Sequence, residues 1–85
     1  MTITVYSKPA CAFCDKAKNL LEANNLSYDE LIFDVGQLHV DGKQYVDLAE
    51  FKQQYPDVKS VPQIFIDGVR IGGYTELTAH VASLK

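Results

Sequence analysis

Tryptophan is absent from this sequence of 85 residues, methionine occurs once and cysteine only twice. No apolar segment approaches the length of about 20 residues that a membrane-spanning helix needs, so we expect no membrane association. The formal net charge is −3, and no basic stripe is present to neutralise phosphates, so we expect no nucleic-acid partner. The first residues lack the charged region of a secretory signal, and a single cysteine pair fits a reducing compartment. We therefore expect a cytoplasmic location.

The two cysteines, Cys11 and Cys14, are separated by two residues and lie between two regular patterns. Residues 2–6 are typical of a strand, and residues 12–24 carry apolar side chains at helical spacing. The pair is therefore predicted on the first turn of a helix. Unpaired backbone N–H groups and the positive end of the helix dipole point at Cys11 there, which stabilises its thiolate and lowers its pKa. This pattern indicates a redox-active dithiol, with Cys11 reactive and Cys14 less exposed.

Three other interpretations of the cysteine pair explain the pattern less well. A structural zinc site needs four ligands, but there is no second Cys-x-x-Cys, and His39 and His80 have no paired spacing. A structural disulfide across two residues closes almost no loop and removes little chain entropy. Two unrelated buried thiols are the third alternative, but Cys-x-x-Cys beside a βαβ pattern is a stronger signal than any of these. We therefore predict no metal site.

The other elements follow from periodicity and turn residues. We predict further strands at residues 27–33, 61–66 and 69–71, and further helices at residues 44–55 and from a cap at Thr75 through Leu84. A later start of the second helix is the alternative, with Asp47 and Glu50 as a capping pair. Residues 34–43 contain turn signals, with Leu38 and Val40 as a short extended piece.

The resulting order of elements is βαβαββα, with a parallel pair first and a hairpin around Asp67-Gly68 last. It predicts an α/β fold with a four-stranded mixed sheet and helices on both faces. The chain contains no linker, repeat or low-complexity segment, and its length suits one small core. We therefore predict a single domain over residues 1–85.

Three blocks of the sequence resemble those of glutaredoxins, which are small oxidoreductases of thioredoxin-like fold. They are residues 6–14 (YSKPACAFC), residues 60–68 (SVPQIFIDG) and residues 71–77 (IGGYTEL). The resemblance spans nearly the whole chain. It implies a sheet of strand order 2-1-3-4 with three helices, the first and third on one face.

The resemblance implies a glutathione-dependent thiol–disulfide oxidoreductase. Cys11 would attack a disulfide, and Cys14 would resolve the mixed disulfide that forms. Glutathione would serve as the reductant, with no tightly bound cofactor. The implied partners are disulfide-containing or glutathionylated proteins, with ribonucleotide reductase as one example, and the implied state is a monomer.

The resemblance also implies a glutathione site around the second and third blocks. Pro62 would follow a cis peptide bond, beside the dithiol, and the backbone of Val61 would pair with the cysteinyl part of glutathione. Ser60 stands there in place of the usual Thr. Gly72 and Gly73 would let the backbone approach the ligand, with φ > 0 expected at Gly73.

The remaining implied contacts hold the two ends of glutathione. The start of the last helix, formed by Tyr74, Thr75 and Glu76, would receive the γ-glutamyl group, because exposed N–H groups suit its carboxylate. Lys8 would favour the Cys11 thiolate and attract the glycyl carboxylate. Phe13 would pack beside the tripeptide. On the second helix, Lys52 and Gln53 are candidates for the glycyl end.

The sequence departs from the family pattern at three places: Cys-Ala-Phe-Cys replaces Cys-Pro-Tyr-Cys, Ser60 replaces Thr, and Glu76 stands where Asp is frequent. Because Ala12 lacks the proline ring, a second function stays open, namely a carrier of an iron–sulfur cluster bridged between two protomers by Cys11 and glutathione. A thioredoxin-like reductase is the other alternative. That family typically carries Cys-Gly-Pro-Cys after a tryptophan, which this chain lacks.

Overall fold

The computed structural model describes residues 1–84, so Lys85, the last residue of the predicted domain, lies outside the described part. These residues form five strands and three helices. They are β1 (Ile3–Ser7), α1 (Ala12–Ala23), β2 (Asp29–Asp34), β3 (Gln44–Asp47), α2 (Leu48–Gln54), β4 (Gln63–Ile66), β5 (Val69–Gly72) and α3 (Tyr74–Ser83).

One mixed sheet joins the five strands in the order β3-β2-β1-β4-β5. Strands β1 and β2 are parallel, as predicted from the strand–helix–strand unit, with Tyr6 opposite Leu31. Strands β4 and β5 form the predicted antiparallel hairpin, and β4 also pairs with β1. The prediction of four strands was wrong, because β3 adds a fifth strand beside β2. The order of the other four strands, 2-1-3-4 in the predicted numbering, agrees with the resemblance.

The extra strand lies where the sequence predicted the start of a long helix over 44–55. Residues 44–47 pair in parallel with residues 31–34 of β2. Their strand conformation is therefore decided by this pairing and not by the helical periodicity of the sequence. Helix α2 then begins at Leu48, where the carboxylate of Asp47 accepts hydrogen bonds from Ala49 N at 2.8 Å and Glu50 N at 3.4 Å. The alternative with a later, capped start is therefore the one that the structure contains.

The sheet separates two cores. On one face, α1 and α3 bury Ala17, Leu21, Leu77 and Val81 against isoleucine and valine side chains of β1 and β4. The other face is aromatic and lies under α2, where the side chains that pack together are Tyr6, Phe33, Phe51 and Phe65. The expected placement of the first and third helices on one face is confirmed. No helix within residues 1–84 is both long and apolar enough to cross a membrane.

Candidate active site

The cysteine pair lies where the first strand gives way to the first helix. Cys11 is the N-cap residue of α1, and its Sγ accepts a hydrogen bond from the backbone N–H of Cys14 at 3.2 Å. The two sulfurs are joined as a disulfide, with the Cα atoms 5.2 Å apart. Cys14 is 1% exposed, whereas Cys11 is only half-buried. The structure confirms that Cys14 is the less exposed cysteine, so an incoming sulfur reaches the pair at Cys11.

The turn before β4 lies directly beside Cys11. The peptide bond between Val61 and Pro62 is cis, as predicted, and Cys11 Sγ lies 4.0 Å from the carbonyl oxygen of Val61. The Gln63 side chain donates to the Ser60 carbonyl at 2.8 Å and closes the turn. Within residues 1–84, no hydrogen bond engages the backbone N–H of Val61. The residue whose carbonyl lies next to the accessible sulfur therefore has a free backbone donor.

A groove of about 610 Å³ runs from this turn to the start of α3. We call it the backbone groove, because two turns of the main chain and a helix terminus form most of its walls. Eight of the predicted glutathione-binding residues line it: Phe13, Ser60, Val61, Pro62, Gly73, Tyr74, Thr75 and Glu76. At its mouth the rings of Phe13 and Tyr74 lie 5.9 Å apart. The three sequence blocks thus meet at one surface.

Two details at the Gly72-Gly73 turn correct the sequence predictions. The positive φ belongs to Gly72, at +124°, whereas Gly73 has φ −103°. Gly73, rather than Thr75, is the N-cap residue of α3, and the Glu76 carboxylate accepts its backbone N–H at 2.8 Å. The glycine pair is needed for space as well. A Cβ on Gly72 would collide with the Glu76 side chain, and a Cβ on Gly73 would lie 3.3 Å from the carbonyl oxygen of Pro62.

Helix α3 directs its unpaired N–H groups at the groove. The first intrahelical hydrogen bond runs from Leu77 N to Gly73 O at 3.0 Å, so the N–H groups of Tyr74, Thr75 and Glu76 have no intrahelical partner. A carboxylate placed in the groove would find both these donors and the positive end of the helix dipole. The start of α3 therefore offers backbone donors to the groove, and an anion site there stays a prediction.

Sequence reasoning missed an ion pair at the far end of the backbone groove. The Arg70 guanidinium donates to the Asp57 carboxylate and lies over the Tyr55 ring, 4.9 Å from its centroid. The hydrogen bond from Arg70 holds the pKa of Asp57 below its usual range. These residues are 13 positions apart and belong to none of the three sequence blocks, so only the fold brings them together.

Lys8 lies on the opposite side of the cis-proline turn, outside the backbone groove. It lines a small cavity of about 190 Å³ together with Lys52, Lys59, Ser60 and Val61. Of the two candidates on α2, the structure brings Lys52 to this cavity and leaves Gln53 outside its lining. Two predicted cationic contacts for the glycyl end, Lys8 and Lys52, are thus together.

A partly buried carboxylate beside the loop before Cys11 was also missed. Glu30 on β2 accepts hydrogen bonds from Ser7 Oγ and Lys18 Nζ, both at 2.8 Å, and its other oxygen lies 3.4 Å from Lys43 Nζ. Its side chain is 14% exposed. Burial opposes ionisation, but these hydrogen bonds and charges outweigh it, so the pKa of Glu30 lies below its usual range. Burial lowers the pKa of Lys18, but the hydrogen bond and the charge of Glu30 outweigh burial, so the pKa of Lys18 is raised.

Comparison with known proteins identifies the architecture. The glutaredoxin family model matches residues 3–71. The chain belongs to the glutaredoxin family. Its relatives include glutaredoxin 1 of Rickettsia conorii, 38% identical over 85% of this chain and 64% of the relative, and the glutaredoxin of Haemophilus influenzae, 34% identical over 93% and 88%. The chain thus spans just under two thirds of the length of the rickettsial relative.

Among solved structures, glutaredoxin 1 of Francisella tularensis in complex with cacodylate is similar. It has a TM-score of 0.71 and 31% sequence identity, and the match covers 98% of this chain and 94% of that one. Glutaredoxins are generally thiol–disulfide oxidoreductases, and the Cys11–Cys14 pair of this chain has the arrangement that such chemistry needs.

Proposed function

We propose that this member of the glutaredoxin family is a glutathione-dependent oxidoreductase that reduces protein disulfides and glutathione mixed disulfides. One observation carries the proposal: the accessible Cys11 lies at a helix N-terminus, with its Sγ 4.0 Å from the carbonyl oxygen of Val61, a residue whose backbone N–H is free. A thiolate there is stabilised by backbone donors, and an extended peptide can pair with the turn next to it.

The reaction is a series of thiol–disulfide exchanges. The Cys11 thiolate attacks one sulfur of the substrate disulfide, forms a mixed disulfide and releases the other sulfur as a thiolate, which takes up a proton. The Cys14 thiolate then attacks Cys11 Sγ, which forms the Cys11–Cys14 disulfide and releases the second substrate thiol. Because the Cα atoms of the two cysteines lie 5.2 Å apart, within the range that a disulfide spans, this second step needs no movement of chain segments.

Two glutathione molecules complete the cycle. The first attacks Cys11 Sγ, which leaves Cys14 as a thiol and Cys11 joined to glutathione. The second attacks the sulfur of the bound glutathione, which yields glutathione disulfide and the Cys11 thiol. For a glutathionylated substrate, the first step joins glutathione directly to Cys11, so Cys14 is not required.

The walls around Cys11 suit each part of glutathione. The backbone of Val61 pairs with the cysteinyl residue, and the N–H groups of Tyr74 and Thr75 bind the γ-glutamyl carboxylate. Glu76 already accepts the Gly73 N–H through one carboxylate oxygen, and its second oxygen is the acceptor for the γ-glutamyl ammonium. The remaining predicted contacts lie at the other end and along the rim.

At the glycyl end, the carboxylate meets Lys8 and Lys52, which share one small cavity. Phe13 and Tyr74 cover the tripeptide from the rim of the groove. A monomer that acts in the cytoplasm on disulfide-containing or glutathionylated proteins, ribonucleotide reductase among them, belongs to the same proposal.

Gly73→Val tests this site. The Cβ of the valine would lie 3.3 Å from the Pro62 carbonyl and would narrow the groove where glutathione lies. Losing one or two ligand hydrogen bonds at about 1 kcal/mol each implies a roughly five- to thirtyfold loss of glutathione-dependent turnover. The assay couples glutathione, glutathione reductase and a small mixed disulfide.

Two controls sharpen the result. Val61→Ala should matter little, because the backbone at that position does the binding. Dithiothreitol lacks a γ-glutamyl group, so its reduction of the Cys11–Cys14 disulfide should be unchanged in Gly73→Val. If both reductants slowed equally, the substitution would have damaged the fold or the dithiol, and the proposed glutathione site would be wrong.

A further inference from the structure

A second cavity, of about 360 Å³, lies on the other side of the segment that precedes Cys11. Residues 8–10 form one wall, and parts of the 34–43 segment form another. It shares no lining residue with the backbone groove. We call it the loop-side cavity. Because Cys11 follows residue 10 directly, a ligand joined to Cys11 Sγ has one of these depressions on each side.

The charge of the loop-side cavity is opposite to that of the chain. Its lining contains Lys8, Lys18 and Lys43 against Asp15 and Glu30, a net charge of +1 in a chain of −3. Lys18 is paired with both carboxylates, and Lys43 is half-exposed at 3.4 Å from Glu30. Within residues 1–84, Lys8 has no acidic partner. The cavity therefore has cationic capacity for an acidic ligand.

The 34–43 segment is held in place by its own contacts. The Asp34 carboxylate accepts from Gly36 N at 3.2 Å and lies 3.1 Å from His39 Nε2. The His39 ring stacks on the Tyr45 ring with centroids 4.0 Å apart, and the Tyr45 hydroxyl accepts the N–H of Val40 at 2.8 Å. This segment therefore has a defined path beside the cavity.

That path leaves apolar side chains in solvent at the cavity rim. Leu38 is 92% exposed and Val40 60% exposed, and both line the loop-side cavity. Apolar side chains clustered beside a cationic cavity are typical of a surface that contacts a partner. Together the two features favour a ligand that carries both acidic and apolar groups.

We propose that the loop-side cavity binds the acidic and apolar segment that flanks the reactive cysteine of a protein disulfide substrate. The inference rests on the proposed function and names its protein substrate class. A polypeptide joined to Cys11 continues on both sides of its own cysteine. One segment lies in the backbone groove, and the other crosses residues 8–10. Two to four extended residues reach about 7–13 Å, enough to enter a neighbouring cavity. Glutathione has a single residue on each side of its cysteine: the γ-glutamyl group lies in the backbone groove and the glycyl group at Lys8 and Lys52. Neither is long enough to cover Leu38 and Lys43, so these two residues of the loop-side cavity select protein substrates without affecting glutathione.

The test compares peptides that contain one intramolecular disulfide. In one peptide, Glu-Glu-Leu flanks the reactive cysteine on both sides. The matched peptides carry Lys-Lys-Leu or Glu-Glu-Ser at the same positions. The wild-type protein should reduce the Glu-Glu-Leu peptide with the lowest KM of the three, and its advantage over the Lys-Lys-Leu peptide should shrink at high ionic strength.

Leu38→Ser should raise the KM for the Glu-Glu-Leu peptide by about five- to twentyfold, because the apolar contact is lost. Lys43→Ala should raise it about two- to fivefold and weaken the salt dependence. Turnover of a small glutathione mixed disulfide should stay unchanged in both variants. Leu84→Ser is the matched control, since Leu84 is also an exposed leucine but lies at the end of α3, outside this cavity.

Three results would overturn the inference. The first is equal reduction of the acidic and basic peptides by the wild-type protein. The second is an equal loss of peptide and small-disulfide turnover in Leu38→Ser. The third is a dimer in sedimentation analysis that Leu38→Ser dissociates, which would assign the apolar rim to a second copy of this chain. A different result would refute the proposed function itself, namely a wild-type protein that does not turn over a small glutathione mixed disulfide. The peptide comparison cannot give that result, so the two failures can be told apart.

Discussion

The backbone groove and the loop-side cavity lie on either side of Cys11, but they are built from different groups. The groove presents main-chain donors at Val61 and at the start of α3, and glycine keeps its walls open. The loop-side cavity presents lysine side chains and an apolar rim with Leu38. Backbone donors suit any ligand with a peptide unit, whereas charged and apolar side chains depend on the ligand's own side chains. Under our two proposals, the groove recognises a common reductant and the loop-side cavity chooses the protein substrate.

Replacing either cysteine should have the largest effect on activity, because the backbone groove and the loop-side cavity serve the same dithiol. Cys11→Ser should abolish every activity, because both sides deliver their ligand to Cys11 Sγ. Cys14→Ser should retain deglutathionylation and lose the reduction of protein disulfides, because Cys14 acts only in the resolving step. Parallel assays with a glutathionylated peptide and a disulfide peptide check this. An equal loss of deglutathionylation in both variants would contradict the assigned roles.

Gly72→Ala should destabilise the protein at the turn that forms one wall of the backbone groove. The residue has φ +124°, and the new Cβ would collide with Glu76, the side chain that caps α3. Backbone strain and the displaced cap together should lower the free energy of unfolding by about 2–4 kcal/mol, measured by urea denaturation.

Gly68→Ala provides the matched control for this variant. Gly68 also has a positive φ, +81°, but a Cβ there would meet no atom within 4 Å. Its cost should therefore be the strain alone, about 1 kcal/mol. Equal losses for the two variants would show that the contact between Gly72 and Glu76 has no energetic weight.

Lys8 lies between the two sides and should affect both through charge. Lys8→Gln removes the cation and should raise the pKa of the Cys11 thiol, and Lys8→Glu should raise it further. At an effective dielectric constant near 20 a partly solvated pair of charges is weak, so turnover at neutral pH should fall about two- to tenfold. Thiolate absorbance in the ultraviolet measures the titration, and Lys8→Arg should behave like the wild type. An unchanged titration in Lys8→Gln and Lys8→Glu would leave the helix terminus as the main cause.

Glu30→Gln should have the smallest effect and should act on the loop side only. The lowered pKa of Glu30 means that its ion pairs stabilise the fold above the ordinary glutamate pKa of about 4.3, and that this contribution is lost as pH falls through the lower folded value. The variant should be about 0.5–1 kcal/mol less stable at neutral pH. Its stability should also fall less than that of the wild type between pH 5 and the acid limit of folding, a range checked by urea denaturation at several pH values. An identical pH dependence in both proteins would contradict this account.

Local signals predicted most of the fold. The strand before Cys11, helix α1 and the hairpin at Asp67-Gly68 lie where periodicity and turn residues placed them, because neighbours in sequence decide these features. The expectation that residues 44–47 open a helix was wrong. Two of those residues, Tyr45 and Val46, have β-forming side chains, but whether the segment extends depends on a free edge of β2 that no local pattern reveals.

In the candidate site, too, some residues could be predicted from local sequence and others could not. The three sequence blocks contain most of the residues that line the backbone groove, although the positive φ was assigned to Gly73 when Gly72 carries it. The ion pair between Arg70 and Asp57 and the network around Glu30 had no sequence signal, since their members have no characteristic spacing.

The sequence by itself determined the dithiol and its place at a helix start, because a Cys-x-x-Cys pair between a strand pattern and a helix pattern is a local feature. Only the tertiary structure decided what lies around Cys11. The cis-proline turn lies 50 residues further along the chain, and Glu30 lies 19 residues away, yet strand pairing with β1 brings both to the active-site segment. Which charges, donors and apolar side chains a reactive sulfur meets depends on long-range packing, and that packing here gives the two sides of one cysteine different chemistry.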